Sequence, residues 1–142
     1  MSFNNLKIRI KRNEGYSNKP YKDQLNFYTI GYGHLIRQSE KFYFNKSFKK
    51  KHFQNVFNSD FEKAAKEYKK KFFKKNHTRS EKELLIEMVF QLGSKGVFKF
   101  RKMLFFLNKK QKYMASLEML DSLWYLQTPE RVKNLIKNYT KK

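Results

Sequence analysis

Apolar and polar positions divide this chain into stretches of different period. Phe3, Leu6 and Ile10 recur at helical spacing, and Gly15 follows Glu14 as a stop, which predicts a short N-terminal helix. From Lys19 to Leu35 the period falls to two. Phe27, Thr29 and Gly31 alternate there against Tyr28, Ile30 and Tyr32. With Pro20 and Asn26 as bends, this predicts a small antiparallel sheet. Residues 36–47 are polar and irregular around Phe42, Tyr43 and Phe44, and support no assignment. A long helix over about 48–74 follows, with Phe53, Phe57, Phe61, Ala64, Tyr68 and Phe72 on one stripe.

The C-terminal half reads as helices only. Ser80-Glu81-Lys82-Glu83 predicts a capping box that opens a helix with Leu84, Leu85, Met88, Val89 and Leu92 and stops at Gly93. A second helix is expected from Lys95 to Asn108, with Val97, Phe100, Met103, Leu104 and Leu107 inward. A third is expected from Gln111 to Tyr125, with Met114, Leu117 and Leu120 on its buried stripe. Thr128-Pro129 supplies an N-cap and a first-turn proline for a last helix burying Val132, Leu135 and Ile136. The plan is a mainly helical α+β domain: a small sheet lobe, a long connecting helix and a helical lobe. A cleft between such lobes suits an extended ligand.

Composition narrows this picture. At 142 residues the chain fits one domain with a sizeable core. It has no cysteine, hence neither disulfides nor a thiolate metal site. Three scattered histidines add no metal-binding pattern. No apolar run approaches the ~20 residues of a membrane span. The N-terminal MSFNNLKIRIKRNEG lacks the apolar core of a signal peptide. Against 12 acidic residues stand 33 basic ones, a net charge of +21. Such a field attracts polyanions, including the anionic cell envelope. Only six of the basic residues are Arg, which favours diffuse attraction over base readout or bidentate phosphate recognition. The long helix concentrates the charge: residues 46–75 hold eleven Lys against Asp60, Glu62 and Glu67. A solvated face around an apolar stripe explains that density, as does coding bias across the surface.

The chemistry concentrates in EGYSNKPYKDQLNFYTIGYGH, residues 14–34. Glu14 ends a helix, Asp23 sits in a turn and Thr29 lies in a strand. Cleavage of a glycosidic bond needs two carboxyl groups in unlike environments on opposite sides of the bond, and a helix end facing a hairpin can supply them. Two acids nine positions apart are also common as surface charges, and Thr29 has good strand propensity. The spacing by itself leaves both readings open.

Three ordered segments carry a resemblance: EGYSNKPYKDQLNFYTIGYGHL, MVFQLGSKGVFKF and SLWYLQTPERVKNLI. They resemble the T-even bacteriophage lysozymes, phage endolysins of that glycoside-hydrolase family. Most specific are the glutamate, the aspartate nine residues on and the threonine six beyond it, ahead of GxGH. The resemblance implies a lysozyme-like fold in a single domain, residues 1–142. The sheet lobe would span about 15–47, the connecting helix about 48–74 and the helical lobe about 78–142, with the first helix packing on the latter.

The resemblance also implies roles. Glu14 matches the general acid, and Asp23 with Thr29 matches the pair that orients and activates the attacking water. Arg131 matches an arginine that pairs with the catalytic glutamate. Leu35 and Phe90 match residues lining the sugar site, and Gln91 stands beside Phe90 at a position facing the cleft. Trp124 matches a core tryptophan near the cleft, and His34 with Asp60 matches a pair that ties the sheet to the long helix. The implied enzyme is an inverting muramidase acting without a cofactor on peptidoglycan, as a monomer. Its implied setting is host-cell lysis, with synthesis in the host cytoplasm and release to the periplasmic wall through a holin-type lesion.

Some features depart from the family pattern. The stretch between His34 and Asp60 is shorter than in the family's best-known members, and those members carry one more helix after the WYxQTPxR helix. Two polar sugar-contacting positions fall on Met103 and Glu118. A rival reading is a cationic protein that binds wall polymer or lipopolysaccharide on an inactive lysozyme scaffold. A nucleic-acid module would rest on charge alone, with no motif behind it.

Overall fold

The computed structural model describes residues 2–141. The chain forms two compact units, Met1–Lys63 and Ala64–Lys142.

In the first unit, α1 (Asn4–Glu14) buries Leu6 and Ile10 completely, and Gly15 closes the helix by donating its N–H to Lys11 O. A three-stranded antiparallel sheet follows in the order β1 (Ser17–Lys22), β2 (Tyr28–Gly31), β3 (His34–Leu35). Pro20, expected to mark a bend, lies inside β1. It is tolerated because the β1–β2 register is interrupted between Ser17 and Tyr21, where no ladder N–H is required. Asn26 does turn the chain, with φ of 70°. The unassigned stretch 36–47 contains a 3-10 helix, Gln38–Phe44, whose Tyr43 joins Ile30 and Phe53 in a small core. Phe53, Phe57 and Phe61 of α2 (Lys50–Phe72) are buried here, and Phe3 of α1 meets Phe61 at 6.2 Å between ring centroids.

In the second unit the stripe continues through Ala64, Tyr68 and Phe72, all buried. The helix that follows, α3 (Arg79–Phe98), opens two residues earlier than expected. Thr78 is its N-cap, its hydroxyl accepting from Glu81 N while its own N–H donates to Glu81 Oε1. Gly93 does end the first helical run, as expected. With φ of 75° and ψ of 159°, values few other residues adopt, it leaves the helical path, and a second helical run goes on to Phe98. The expected helix from Lys95 to Asn108 is therefore divided, its second part being α4 (Arg101–Asn108). The expected Gln111–Tyr125 helix is likewise two, α5 (Lys112–Leu120) and α6 (Leu123–Gln127).

The expected stripe of α5 faces outward. Met114, Leu117 and Leu120 are exposed, while Ala115, Ser116 and Met119 are buried. Helix α5 packs against α4, α6 and α7, so tertiary packing rather than hydrophobicity selects the inward face. The last helix, α7 (Pro129–Thr140), packs on α3, α5 and α6 and buries Val132 and Leu135, with Ile136 half-buried. Thr128 precedes it, but its hydroxyl donates back to Trp124 O instead of capping α7.

Candidate active site

The first unit gathers its chemistry on the hairpin. Asp23 N donates to Phe27 O and Asn26 N donates to Asp23 O, which fixes a tight turn. Asp23 Oδ1 accepts from both Leu25 N and Phe27 N at 2.9 Å. That carboxyl is anchored through one oxygen in the manner of an Asx turn, and it is half-buried.

Cross-strand register does the rest. Tyr21 pairs with Thr29, and Thr29 with Leu35, so these three side chains share one face of the sheet. Asp23, two residues beyond Tyr21, continues that alternation off the end of β1. Thr29 is buried and its hydroxyl donates to Phe27 O at 3.0 Å. With its proton committed, Oγ1 is left as an acceptor. Leu35 stands 52% exposed at the other end of the row.

Glu14 reaches this hairpin from the end of α1. Its carboxyl lies so close to Gly33 that a Cβ there would sit 2.5 Å from Glu14 Cδ, and Gly33 has φ of 79°. Only glycine gives both the backbone conformation and the space. Tyr21 links the two acids electrostatically. Burial, then the negative charge of Glu14, then that of Asp23 raise its phenol above the ordinary value. Both acids therefore act on one phenol. Periodicity reads Tyr21 merely as a strand residue; the signal that finds it is its place opposite Thr29, which requires the register.

His34 and Asp60 meet in the same unit, with Nδ1 2.7 Å from Asp60 Oδ2. A second acid, absent from the sequence reading, closes the other side: Glu40 Oε1 lies 2.9 Å from His34 Nε2. Burial lowers the histidine's pKa, but hydrogen bonds and charges of Asp60 and Glu40 outweigh that and raise it. Burial acts to raise Glu40, yet hydrogen bonds from Arg37 and then His34 pull it down to about 2. Glu40 belongs to the stretch that supported no assignment, so nothing pointed to it.

In the second unit Phe90 and Gln91 lie near the break in α3, both half-buried. Trp124 is buried and donates from Nε1 to Gln91 Oε1 at 2.9 Å. Gln91 is thus held by the tryptophan. Arg131 on α7 is buried against Glu87 of α3, with Nε and Nη2 both 3.3 Å from Oε2. This arginine is the cation that accompanies a buried glutamate inside an apolar helical run. Met103 is buried in the core of α4 and Glu118 is half-buried on α5.

The hairpin thus holds Asp23 in its turn and Thr29 on β2, with the Glu14 carboxyl against Gly33. The phage lysozyme family model matches residues 11–140, and the chain belongs to that family. Two probable T4-type lysozymes of Dictyostelium discoideum, numbered 2 and 1, are each 29% identical to it. Each comparison covers 92% of this chain and 91% of the relative. The protein is a lysozyme, and its substrate is peptidoglycan.

Proposed function

We propose that this lysozyme is an inverting muramidase that cleaves the β-1,4 bond between N-acetylmuramic acid and N-acetylglucosamine. Glu14 donates its proton to the glycosidic oxygen as the C1–O bond breaks. A water on the opposite face of the sugar gives one hydrogen bond to Thr29 Oγ1 and surrenders its other proton to Asp23 as its oxygen bonds to C1. The leaving sugar departs as an alcohol, and the new anomeric hydroxyl is α. Leu35, exposed on the row that carries Thr29, is a sugar-contacting residue of this reading, and the resemblance alone adds Phe90 and Gln91.

The observation that carries it is geometric: the Glu14 carboxyl rests against Gly33 of the hairpin whose turn holds Asp23 and whose second strand holds Thr29. It supports a single site holding both acids and the threonine. Proton NMR of product formed within the first turnovers tests the stereochemistry. The α-anomer is expected first, and initial β-product contradicts the mechanism.

The biological setting rests on the resemblance: synthesis in a host cytoplasm, and access to the periplasmic wall through a holin-type lesion. Expression in a Gram-negative host with and without a membrane-permeabilising partner tests this. Lysis is expected only with the partner, and equal lysis without it overturns that route.

A further inference from the structure

One end of the second unit has no part in the chemistry above. The segment 68–80 contains no acidic residue, and neither does the segment 88–117. Folding brings them side by side. His77 Nε2 lies 3.1 Å from Asn108 Oδ1, Lys110 Nζ donates to Asn76 O at 2.7 Å, and Tyr68 OH lies 2.6 Å from His77 Nδ1. The acid nearest the joint, Glu81, is buried and bonded to Lys110 at 2.6 Å, so its charge is not presented to solvent. On one side of the joint stand Lys69, Lys70, Lys71, Lys74 and Lys75, all exposed; on the other stand Lys109 and Lys110, also exposed.

Three aromatic rings of these two segments stand exposed instead of packing inward. Phe73 is 74% exposed, Phe105 is 56% exposed and Tyr113 is 74% exposed. Two carry an ammonium over the ring: Lys74 Nζ is 5.6 Å from the Phe73 centroid, and Lys109 Nζ is 5.8 Å from that of Phe105. Charge alone would suit any polyanion, but a phosphate polymer without bases makes no use of exposed phenyl groups, and the exposed cations here are lysines, which do not favour nucleic-acid readout. An anionic bilayer uses both. Aromatic rings settle at the headgroup level, and lysines keep their ammonium groups among the phosphates while their stems lie on apolar surface. No helix among the described residues is long and apolar enough to cross a membrane, so attachment would be at the surface.

We propose that this joint, α2 C-terminus against the α4–α5 turn, is a docking face for anionic lipid bilayers, with Phe73, Phe105 and Tyr113 entering the headgroup layer. Such a face would hold the enzyme at the membrane beside its wall substrate. It is independent of the catalytic reading, because it uses none of the residues assigned to the chemistry.

Co-sedimentation of the full chain with large vesicles of phosphatidylcholine, with and without phosphatidylglycerol, tests the proposal at about 0.1 M salt, where long-range attraction is screened. Binding is expected only with phosphatidylglycerol. The triple variant Phe73→Ser, Phe105→Ser, Tyr113→Ser should lose at least ~10-fold in partitioning while hydrolysing peptidoglycan as wild type does. Phe73→Trp and Phe105→Trp, each folded by its melting curve, should shift their emission to the blue on adding the anionic vesicles. Absence of binding to anionic vesicles overturns the proposal. So does binding that survives the triple substitution with unshifted tryptophan emission, since that outcome makes the surface a general polyanion site.

Discussion

The carboxyl of Glu14 rests against the bare Cα of Gly33, at a distance where an added Cβ would stand 2.5 Å from its Cδ. One helix end and one hairpin turn are thereby fitted to each other through a hydrogen atom. Gly33→Ala meets the far end of a flexible side chain, so the carboxyl yields before the fold does. The positive φ adds strain of about 1–2 kcal/mol. Activity should fall by roughly 10²-fold, as displacement of a catalytic group by about 1 Å allows, while the protein still melts cooperatively. Turnover at the wild-type rate would mean that this contact does not position Glu14.

Tyr21 offers a second handle. Its phenol, raised by burial and then by the charges of Glu14 and Asp23, stays protonated at neutral pH and lies within the field of both acids. Tyr21→Phe removes the hydroxyl without removing the ring. We expect kcat to drop about 10-fold with KM and melting temperature nearly unchanged, and the pH–rate profile to shift because the two acids lose a shared neighbour. An unaltered profile with unaltered kcat would reduce Tyr21 to a strand residue.

The bracket around His34 predicts a pH window for stability. The folded pKa of His34 is raised, so its contribution is fully present below the unfolded value of 6.5 and disappears as pH rises through the higher folded value. Glu40 is depressed to about 2, so its contribution is present above the unfolded value of 4.5 and disappears as pH falls toward 2. Both act together between those unfolded values. Melting curves of wild type, His34→Asn, Asp60→Asn and the double variant at about pH 5.5 should give a coupling of about 1–3 kcal/mol, shrinking by about pH 8.5. Strict additivity at the lower pH would show that the bracket contributes nothing as an ion pair.

What could be read in advance was local. The strand at Tyr28–Gly31, the turn at Asn26 and the stop at Gly15 each depend on residues a few positions apart, and each stands where the pattern placed it. Within that strand, however, Thr29, Ile30 and Gly31 are all buried instead of alternating. The misreadings came where distant contacts decide. Both Thr78…Glu81 and Ser80…Glu83 fit a capping box; the first forms because Glu81 also meets Lys110, while Glu83 pairs with Arg79. In α5 apolar side chains lie on both faces, and the packing of neighbouring helices buries the one with Ala115, Ser116 and Met119. Glu14, Asp23 and Thr29 were accessible as candidates because one short stretch carries all three. Tyr21, Glu40 and Glu87 were not, since each acquires meaning from a strand register or a partner far along the chain.

The central claim is that Glu14 is the proton donor of a muramidase. Purified peptidoglycan digested with wild type and with Glu14→Gln, followed by separation of the released muropeptides, tests it most directly. Wild type should release disaccharide muropeptides with reducing N-acetylmuramic acid ends. The isosteric amide has no such proton to give, so Glu14→Gln should melt as wild type does yet release at least ~10²-fold less. Release by Glu14→Gln at the wild-type rate, or wild-type products ending in reducing N-acetylglucosamine, would contradict the account.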